Sequence, residues 1–486
     1  MDYQQLLLAL LPDLLVVVAL FAALGVDYSR LRCSRLAKRY QMACRISAAG
    51  LIAGLAVLML QIAGTMTVME STADGQLVLT RGTLTLKALL YAMGLSVLPL
   101  AKRDQITPQV SEYFALLLLA TLGMGFVVTS RNLLGAFVAL ELVSLSLYAM
   151  TVLNQAKRAS AEAALKYLTF GAVASGFLLF GLSYLYGATG QLDLTQMTDL
   201  QHSPLLVLAY LLIFVGLGFK LALAPFHLWA PDVYQNAPTP VAGWIGSGSK
   251  IAAAALLVAM LQPVFTSPEL KAELIPALAA LAVASMVVGN LGALRQTNLK
   301  RLLAYSAIAN AGYLLVGVVA FSAAGNTSVI FYILVYSLAS LGAFGVVAVL
   351  TDTLGRDAEI SDFNGCWKTT PGLAIAFLVF VLSLAGIPPL AGFLGKFYLF
   401  FAAIGAAPEA AAWYDGFYWL VAFALIMSVV SLYYYLRVLR AFLVVPADDE
   451  VPVKTGWAAG ITLCVLAIAV LALGLWPEPL LTLLRH

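Results

Sequence analysis

Charged residues are scarce in this sequence. Of its 486 residues, 62% are apolar and only 10% are Asp, Glu, Lys or Arg. Soluble domains carry about 25% charged residues, so this surface cannot be hydrated in the usual way. The mean hydropathy of +0.95 agrees. The composition therefore predicts an integral membrane protein. The formal net charge of +3 is too small, and its carriers too scattered, for a nucleic-acid partner.

Cysteine and histidine are also rare. The four cysteines, Cys33, Cys44, Cys366 and Cys464, lie far apart without a CxxC pair, and the chain has three histidines, His202, His227 and His486. This pattern argues against haem ligation by paired histidines and against iron–sulfur ligation by clustered thiolates. The glycine-rich string at 246–250 lacks the spacing of a phosphate-binding loop. We therefore expect no cofactor bound by this chain itself.

Long apolar runs are abundant. A helix needs about 20 apolar residues to cross the hydrocarbon layer. Fourteen such segments are predicted, at roughly 5–25, 43–63, 82–100, 112–129, 132–153, 163–187, 204–228, 239–261, 274–294, 300–320, 329–350, 371–403, 412–442 and 457–481. The first segment lacks a basic leader and contains Pro12 and Asp13, so we interpret it as a retained span rather than a signal peptide.

The loop charges predict the orientation. Loops after odd-numbered spans hold eighteen Lys and Arg residues, and the opposite side holds four. By the positive-inside rule the odd loops are cytoplasmic and both termini are periplasmic. The location predicted is the cell inner (plasma) membrane, crossed many times.

Five basic residues fall within the spans, and all five are lysines. They are Lys87, Lys166, Lys220, Lys250 and Lys396. A charge at the membrane centre costs about 2.5–3.5 kcal/mol on insertion scales, which calls for a reason beyond folding. Arginine stays protonated almost anywhere, whereas a desolvated lysine can exchange its proton. Glu141, also within a span, is the best candidate for a carboxylate that controls such a lysine.

Structural interpretations apply to some of these charges. Lys87 is near the start of its span, which favours a side chain that snorkels to the interface. Asp13 is interpreted as a polar cap or a lipid-boundary group. Lys166 follows Glu162 by four residues, so a helix-surface ion pair and a functional role both remain open.

Two lysines stand beside predicted helix breaks. Lys220 is followed by Pro225, and Lys396 is preceded by two prolines at 388–389. Backbone freed by proline is tolerated in a membrane where protein or water satisfies it, so a lysine beside an interrupted helix indicates an ion site near mid-membrane. The breaks fall in the seventh and twelfth spans, which is compatible with inverted five-helix repeats. His227 is either a core histidine or a proton-relay residue. The aromatic residues at 433–435 and Trp229 are predicted to lie at the membrane interface.

Several strings resemble one family. They are GLGFKLALAPFHLWAPDVYQNAPTPV at 216–241, QTNLKRLLAYSAIANAGY at 296–313, SLAGIPPLAGFLGKFY at 383–398, LYYYLRV at 432–438 and GLWPEPLL at 474–481. Over about 100–481 the chain resembles the antiporter-like membrane subunits of respiratory complex I, the proton-pumping NADH–quinone oxidoreductase. Lys396, where another such subunit has glutamate, favours the branch called subunit N.

The resemblance assigns roles to residues. It implies that Glu141 is the carboxylate of the fifth span and that Lys220 is its lysine partner. Lys250 becomes the connecting lysine and Lys396 the terminal lysine, and Lys166 matches a position often placed in the pathway. Relatives commonly have histidine where this chain has Asn310, so transfer past that position would use water or another side chain.

The fold predicted is all-α, a single membrane domain over 1–486 with broken helices 7 and 12. Helices 1–3 occupy 1–100, a first five-helix repeat 112–261, an inverted second repeat 274–442, and helix 14 the segment 457–486. The function implied is that of a proton-translocating subunit driven by quinone reduction in partner subunits. It makes the chain part of a translocase enzyme without a redox site of its own. NADH, FMN, quinone and iron–sulfur clusters are expected in the parent complex.

The partners implied are neighbouring antiporter-like and small membrane subunits, the peripheral redox arm that they contact, and membrane lipid. Two alternatives remain open at this point. One is a cation/proton antiporter subunit, although sodium prefers oxygen ligands and the deep residues are mostly lysines. The other is a quinone-binding or scaffolding subunit, for which the buried lysines would be replaceable.

Overall fold

The structure is a computed structural model that describes residues 3–28, 34–66, 71–72, 76–104, 107–154, 157–197, 200–354, 357–406, 417–446 and 455–484. Five of the loop cations counted above lie outside these ranges, namely Arg30, Arg32, Arg356, Lys454 and Arg485. Cys33 and His486 also lie outside them. The predicted orientation therefore stays a prediction.

The described chain is almost entirely helical. Its α-helices are α1 Tyr3–Tyr28, α2 Leu36–Ile62, α3 Arg81–Asp104, α4 Val110–Thr129, α5 Leu133–Val152, α6 Arg158–Thr189, α7 Pro204–Leu221, α8 Ala230–Asn236, α9 Thr239–Gly246, α10 Gly248–Leu261, α11 Pro268–Leu294, α12 Leu299–Val318, α13 Ala323–Leu354, α14 Cys366–Thr369, α15 Pro371–Ala385, α16 Ala391–Ile404, α17 Tyr418–Leu443, α18 Trp457–Leu475 and α19 Glu478–Leu484. A two-residue strand β1, Ser71–Thr72, pairs antiparallel with β2, Leu77–Val78.

The predicted all-α membrane fold is confirmed. Thirteen helical segments in the described part of the chain are long and apolar enough to cross a membrane, counting α9 and α10 together. The two halves of the predicted twelfth span, α15 and α16, are shorter apolar helices. The seventh span ends at residue 221 rather than at 228, and the last span ends at 475 with α19 as a separate helix.

Side-chain caps define where several spans begin. Asn132 accepts hydrogen bonds from the backbone of the first turn of α5, and Ser203 does so for α7. Ser267 caps α11, and Asn298 caps α12. Each cap satisfies an N–H group that would otherwise be unpaired at the membrane boundary. The caps therefore fix the start of spans that hydropathy alone locates to within a few residues.

One helix lies at the centre of the bundle. The apolar stretches of α13 and of the α9–α10 segment are fully buried inside the protein. In α1, α2, α6, α17 and α18, by contrast, most residues of the apolar stretch are not buried. The exposed side chains on these outer helices are large and apolar, such as Phe180, Val429 and Ile468. A surface of this kind faces lipid.

The two predicted helix breaks share one backbone pattern. At the end of α7, Ala222 adopts the left-handed conformation with φ 61°, and the Leu223 N–H donates to the carbonyl of Gly218. At the end of α15, Gly386 has φ 84°, and the Ile387 N–H donates to the carbonyl five residues earlier. This hydrogen-bonded termination, a Schellman motif, stops each helix within the bundle.

A third interruption was not predicted. Ser247 has φ −123° and ψ −79°, and it separates α9 from α10. The glycine-rich string at 246–250 surrounds this point, three residues before Lys250. The Ser247 carbonyl oxygen accepts a hydrogen bond from Ser337 Oγ on α13 at 3.2 Å. The same carbonyl accepts from the backbone N–H groups of Lys250 and Ile251 in the first turn of α10, so the backbone polar group at the interruption is hydrogen-bonded, as it must be inside a membrane protein.

Candidate functional site

Lys220 is buried at the last turn of α7, next to the first helix break. Its side chain is 7% exposed. The Nζ atom donates to Ser144 Oγ at 2.5 Å and to Tyr148 Oη at 3.2 Å, both on α5. The ammonium group also lies over the Tyr148 ring, 5.4 Å from its centroid. Neutral hydroxyls and an aromatic face therefore solvate this cation, so it can bind or release a proton without leaving an unpaired carboxylate.

Glu141 lies one helical turn before Ser144 on α5. Its Oε1 accepts a hydrogen bond from Ser175 Oγ at 2.6 Å. In the described part of the chain, no ion pair joins Glu141 to Lys220. The expected control of Lys220 by this carboxylate stays a prediction, and the structure shows no direct contact between the two side chains.

Lys250 follows the unpredicted interruption between α9 and α10. Its side chain is 1% exposed. The Nζ atom donates to the backbone carbonyl of Ala307 on α12 at 2.9 Å and lies 5.7 Å from the centroid of the Tyr336 ring. A lysine with a single carbonyl partner in an apolar environment is costly to keep as a cation, which makes it suited to exchange its proton.

Lys396 occupies the second break, on the opposite side of the interruption from Lys220. Its side chain is 5% exposed. The Nζ atom donates to the carbonyl of Ala385 at 3.2 Å and to Ser428 Oγ at 3.2 Å. It also lies 4.7 Å from the centroid of the Tyr313 ring. The carbonyls freed at the end of α15 thus stabilise the ammonium group, as the sequence pattern of a lysine beside a break predicts.

Hydroxyl and amide groups fill the space between Lys250 and Lys396. Near Lys250, the Tyr336 and Tyr332 rings are neighbours, with centroids 6.5 Å apart. Tyr332 Oη donates to Asn310 Oδ1 at 2.7 Å, and Asn310 Nδ2 donates to the carbonyl of Ser306 at 2.8 Å. Ser306 Oγ in turn lies 2.5 Å from Tyr435 Oη. These groups all lie on α12, α13 and α17.

The remaining links reach Lys396. Tyr434 packs against Tyr435 with ring centroids 4.5 Å apart, and its Oη donates to Asn290 Oδ1 at 3.2 Å. Asn290 Nδ2 donates to Tyr313 Oη at 3.1 Å, and the Tyr313 ring lies beneath the Lys396 ammonium group. We call the set from Tyr336 to Tyr313 the tyrosine–asparagine network. Sequence analysis did not identify it, because tyrosines in apolar spans give no signal of which helix face they occupy.

Lys166 forms the predicted helix-surface pair and a second one. Its Nζ lies 2.8 Å from Glu162 Oε1 and 2.9 Å from Asp232 Oδ2. The other oxygen of Asp232, which is on α8, lies 2.8 Å from an Arg301 nitrogen on α12. This half-helix is therefore held between α6 and α12 by charges at its surface, and the structure does not bring Lys166 to the buried lysines.

His227 is half-buried in the first break. In the described residues its Nδ1 atom has no hydrogen-bond partner.

Three interpretations of the sequence were wrong. Lys87 does not snorkel, since its Nζ lies 2.6 Å from Asp13 Oδ2 and the pair is almost fully buried. For the same reason Asp13 is not a lipid-boundary group. Tyr434 is fully buried, as are Tyr435 and Trp229, so these aromatics are not interfacial. Of the tyrosine triplet at 433–435, the first member is exposed.

In the described ranges, no three His, Cys, Asp or Glu side chains come close enough to hold a metal ion. The three cysteines described, Cys44, Cys366 and Cys464, are free thiols.

The fold and these sites define a class. A bundle of about fourteen spans with buried lysines at two interrupted helices is a polytopic membrane protein of the ion-translocating type. The model of the family described as "NADH:quinone oxidoreductase/Mrp antiporter, TM" matches residues 130–431. The chain belongs to this family.

Relatives narrow the assignment. The chain is 45% identical, over its full length and 99% of the relative, to NADH-quinone oxidoreductase subunit N 2 of Acidobacterium capsulatum. It is 35% identical to a chain of respiratory complex I from Thermus thermophilus with bound aureothin, with a TM-score of 0.80, covering 98% of this chain and all of that one. A chain of the Mrp complex from Dietzia is 22% identical, with a TM-score of 0.82 over 100% of this chain and 97% of that one, and shares the fold. The resemblance to the subunit N branch is thus confirmed.

Proposed function

We propose that the chain is a proton-translocating membrane subunit of a NADH–quinone oxidoreductase, and that its buried lysines carry the protons. The observation that supports this most directly is the placement of Lys220, Lys250 and Lys396. Each is buried, each lies beside an interrupted helix, and hydroxyl and amide groups join the last two. Charges with these surroundings are expensive in a membrane and are retained for function.

The pathway has three steps. Protons enter from the cytoplasmic side to the region of Lys220 and Lys250. They pass laterally along the tyrosine–asparagine network to Lys396 and leave to the periplasmic side. Glu141 controls the affinity of Lys220 for its proton by its charge, and Lys166 and His227 are auxiliary relay candidates. The free energy comes from quinone reduction in partner subunits, so NADH, FMN, quinone and the iron–sulfur clusters belong to the parent complex rather than to this chain.

Asparagine at position 310 limits how the network conducts. A hydroxyl can accept one proton and donate another, so Tyr332 and Tyr435 can relay protons. The Asn310 amide accepts from Tyr332 and donates to Ser306 without an ionisable proton to give up. We therefore route transfer past Asn310 through the hydroxyls of Ser306 and Tyr435. Asn290, whose amide joins Tyr434 to Tyr313, has no ionisable proton either, so water completes the path past that residue.

The repeat organisation is part of the same proposal. A first repeat, 112–261, and an inverted second repeat, 274–442, form a single domain with the helices of 1–100 and 457–486. The similar ends of α7 and α15 support this. Each helix ends at a residue with left-handed backbone, Ala222 or Gly386, and in each the next N–H donates to the carbonyl five residues earlier. Lys220 precedes the first break, whereas Lys396 follows the second. The subunit lies in the cell inner membrane with both termini periplasmic, next to other antiporter-like and small membrane subunits, the peripheral arm and lipid.

The test uses Lys220 in the assembled complex. Lys220→Ala and Lys220→Arg are compared with Lys368→Ala, which alters an exposed lysine, in inverted membrane vesicles. NADH–quinone turnover and proton uptake are measured together. We expect uptake to collapse in both Lys220 variants, because alanine carries no proton and arginine does not release one. Wild-type uptake per electron in Lys220→Ala would mean that this lysine is structural and that the proposal is wrong.

A further inference from the structure

A polar pocket opens at one face of the bundle, outside the site described above. Its volume is about 220 Å³. Its lining includes Asn154, Lys157, Thr239, Lys300 and two carboxylates, Asp352 and Asp357. These residues lie where α5 and α13 end and where α6, α9 and α12 begin, which is the face that carries most of the loop cations. A cavity of this size with several polar partners has room for a few water molecules.

Lys300 forms the floor of this pocket. Its side chain is 3% exposed, and its Nζ lies 3.0 Å from Asp357 Oδ1. The same Nζ donates to the carbonyl of Ala237 at 3.4 Å. Ala237 is the C-cap of α8, so the ammonium group stabilises the negative end of this half-helix. The next residue, Arg301, holds Asp232 on α8. The first turn of α12 thus contacts both ends of α8, the short helix that follows the Lys220 break.

Asp357 is fixed on the water side of Lys300. The Leu299 N–H donates to the carbonyl of Ala358, and the Ile360 N–H donates to that of Thr297 at 3.0 Å, so this loop is bonded to the start of α12. Lys157, which is 44% exposed, approaches the same Asp357 oxygen at 3.3 Å. Burial alone would raise the pKa of Asp357, but Lys300 and Lys157 lower it below its ordinary value. The carboxylate is therefore charged at neutral pH and passes a proton on rather than storing it.

The pocket lies close to two of the buried lysines along the chain. Thr239, in its lining, begins α9, and Lys250 is about 16 Å further along at 1.5 Å per residue. The seven-residue helix α8 links the pocket to Trp229, whose Nε1 donates to the carbonyl of Phe219, the neighbour of Lys220. A proton that reaches the pocket is thus separated from Lys250 by about 16 Å of helix and from the Lys220 break by the short helix α8.

We infer that Asp357 and Lys300 form the proton entry site of this subunit, an inference that rests on the proposed function. Asp357 takes a proton from surface water, which neutralises its charge and weakens its pairing with Lys300. The proton then moves to water in the pocket, and the carboxylate returns to Lys300. No covalent bond other than an O–H bond is made or broken. Lys300 acts as the positioning residue, since it holds the carboxylate and the end of α8 at the same point.

The first experiment changes the carboxylate in the assembled complex. Proton uptake by inverted vesicles is measured for Asp357→Asn, Asp357→Glu and the control Lys368→Gln, which changes an exposed lysine outside the pocket lining, in H₂O and in D₂O. We expect Asp357→Asn to reduce the uptake rate by about 100-fold, at the low end for a lost proton-transfer group, and to increase the solvent isotope effect. Asp357→Glu restores uptake, and Lys368→Gln stays near the wild-type rate. Equal uptake in the Asn and Glu variants would overturn the inference.

The second experiment tests whether the pocket is the route inward. Thr351, which also lines the pocket, is changed to cysteine in a chain whose four native cysteines are serine. A membrane-impermeant cationic methanethiosulfonate is then added to inverted vesicles. We expect labelling to block proton uptake in Thr351→Cys and not in its parent. Full uptake after complete labelling would exclude the pocket as the entry.

The outcomes separate the two proposals. If Lys220→Ala abolishes uptake while the Asp357 and Thr351 variants retain it, protons enter elsewhere and the proposed function stands. If Lys220→Ala itself retains uptake, the proposed function fails regardless of the pocket.

Discussion

The buried charge cluster of the first three spans allows a quantitative prediction. Asp13 on α1 accepts from Lys87 Nζ at 2.6 Å and from Tyr91 Oη at 2.6 Å, both on α3. All three side chains are almost fully buried. The Lys87 ammonium group also lies 5.2 Å from the centroid of the Phe126 ring on α4. None of these groups belongs to the proposed pathway, so their removal tests stability rather than transport.

The magnitude follows from which partner is left behind. Lys87→Met leaves the Asp13 carboxylate buried with one neutral donor, and breaking a buried pair in this way costs about 3–5 kcal/mol. This corresponds to a change of roughly 100-fold or more in an equilibrium constant. The triple variant Asp13→Leu, Lys87→Met and Tyr91→Phe removes all three polar groups together. Replacing a whole buried pair with apolar residues is close to neutral, within about 1 kcal/mol or stabilising.

The assay is the rate at which the subunit is lost from the detergent-solubilised complex at a fixed temperature, read on native gels. We expect Lys87→Met to be lost much faster than wild type and the triple variant to be lost at nearly the wild-type rate. NADH–quinone turnover and proton uptake by the triple variant serve as the control and stay near wild type. If the triple variant is as unstable as Lys87→Met, the cost lies in packing and the electrostatic reasoning is refuted.

Three further predictions concern the network, the second break and the entry loop. Asn310→Leu leaves the Tyr332 hydroxyl without its acceptor and destabilises the assembled subunit by about 1–3 kcal/mol, measured as faster heat-induced loss; an unchanged rate would contradict this. Gly392→Ala places a methyl group on the carbonyl oxygen of Ser383, so poor assembly in membranes is expected, with wild-type levels as the contrary result. The pKa of Asp357 is lowered, so its contribution to stability is present above about pH 4 and is lost as the pH falls through the folded-state pKa. The rates of acid-induced dissociation of wild type and Asp357→Asn should therefore become equal at low pH.

Much of the fold could be predicted because membrane spans are a matter of composition. A run of apolar residues marks a span wherever it lies, and the prolines near Lys220 and Lys396 marked both breaks. The interruption at Ser247 was missed because serine and glycine are common in membrane helices that continue through them. Its surroundings are tertiary, since Ser337 of α13 donates a hydrogen bond to the Ser247 carbonyl across the interface between the two segments.

The site was predicted in part for a similar reason. Lysine in a span is conspicuous by its cost, so Lys220, Lys250 and Lys396 could be named from the sequence. Tyrosine has no such cost, and consecutive residues of a helix point in directions about 100° apart. Hence Tyr434 faces the interior while its neighbour Tyr433 is exposed, a distinction that only the packing of α17 decides. The partner of Lys87 was missed because it lies 74 residues away in the chain.

In the proposed pathway, the hydroxyls of the tyrosine–asparagine network must reorient after each proton transfer. A hydroxyl that hands a proton forward ends with its hydrogen on the other side, and the row of hydroxyls is then oriented against a second transfer in the same direction. Each hydroxyl must turn back before it can conduct again. In the proposed pathway, the turning of these hydroxyls is therefore a step of every cycle, and it limits the rate at which protons reach Lys396 together with the transfers themselves.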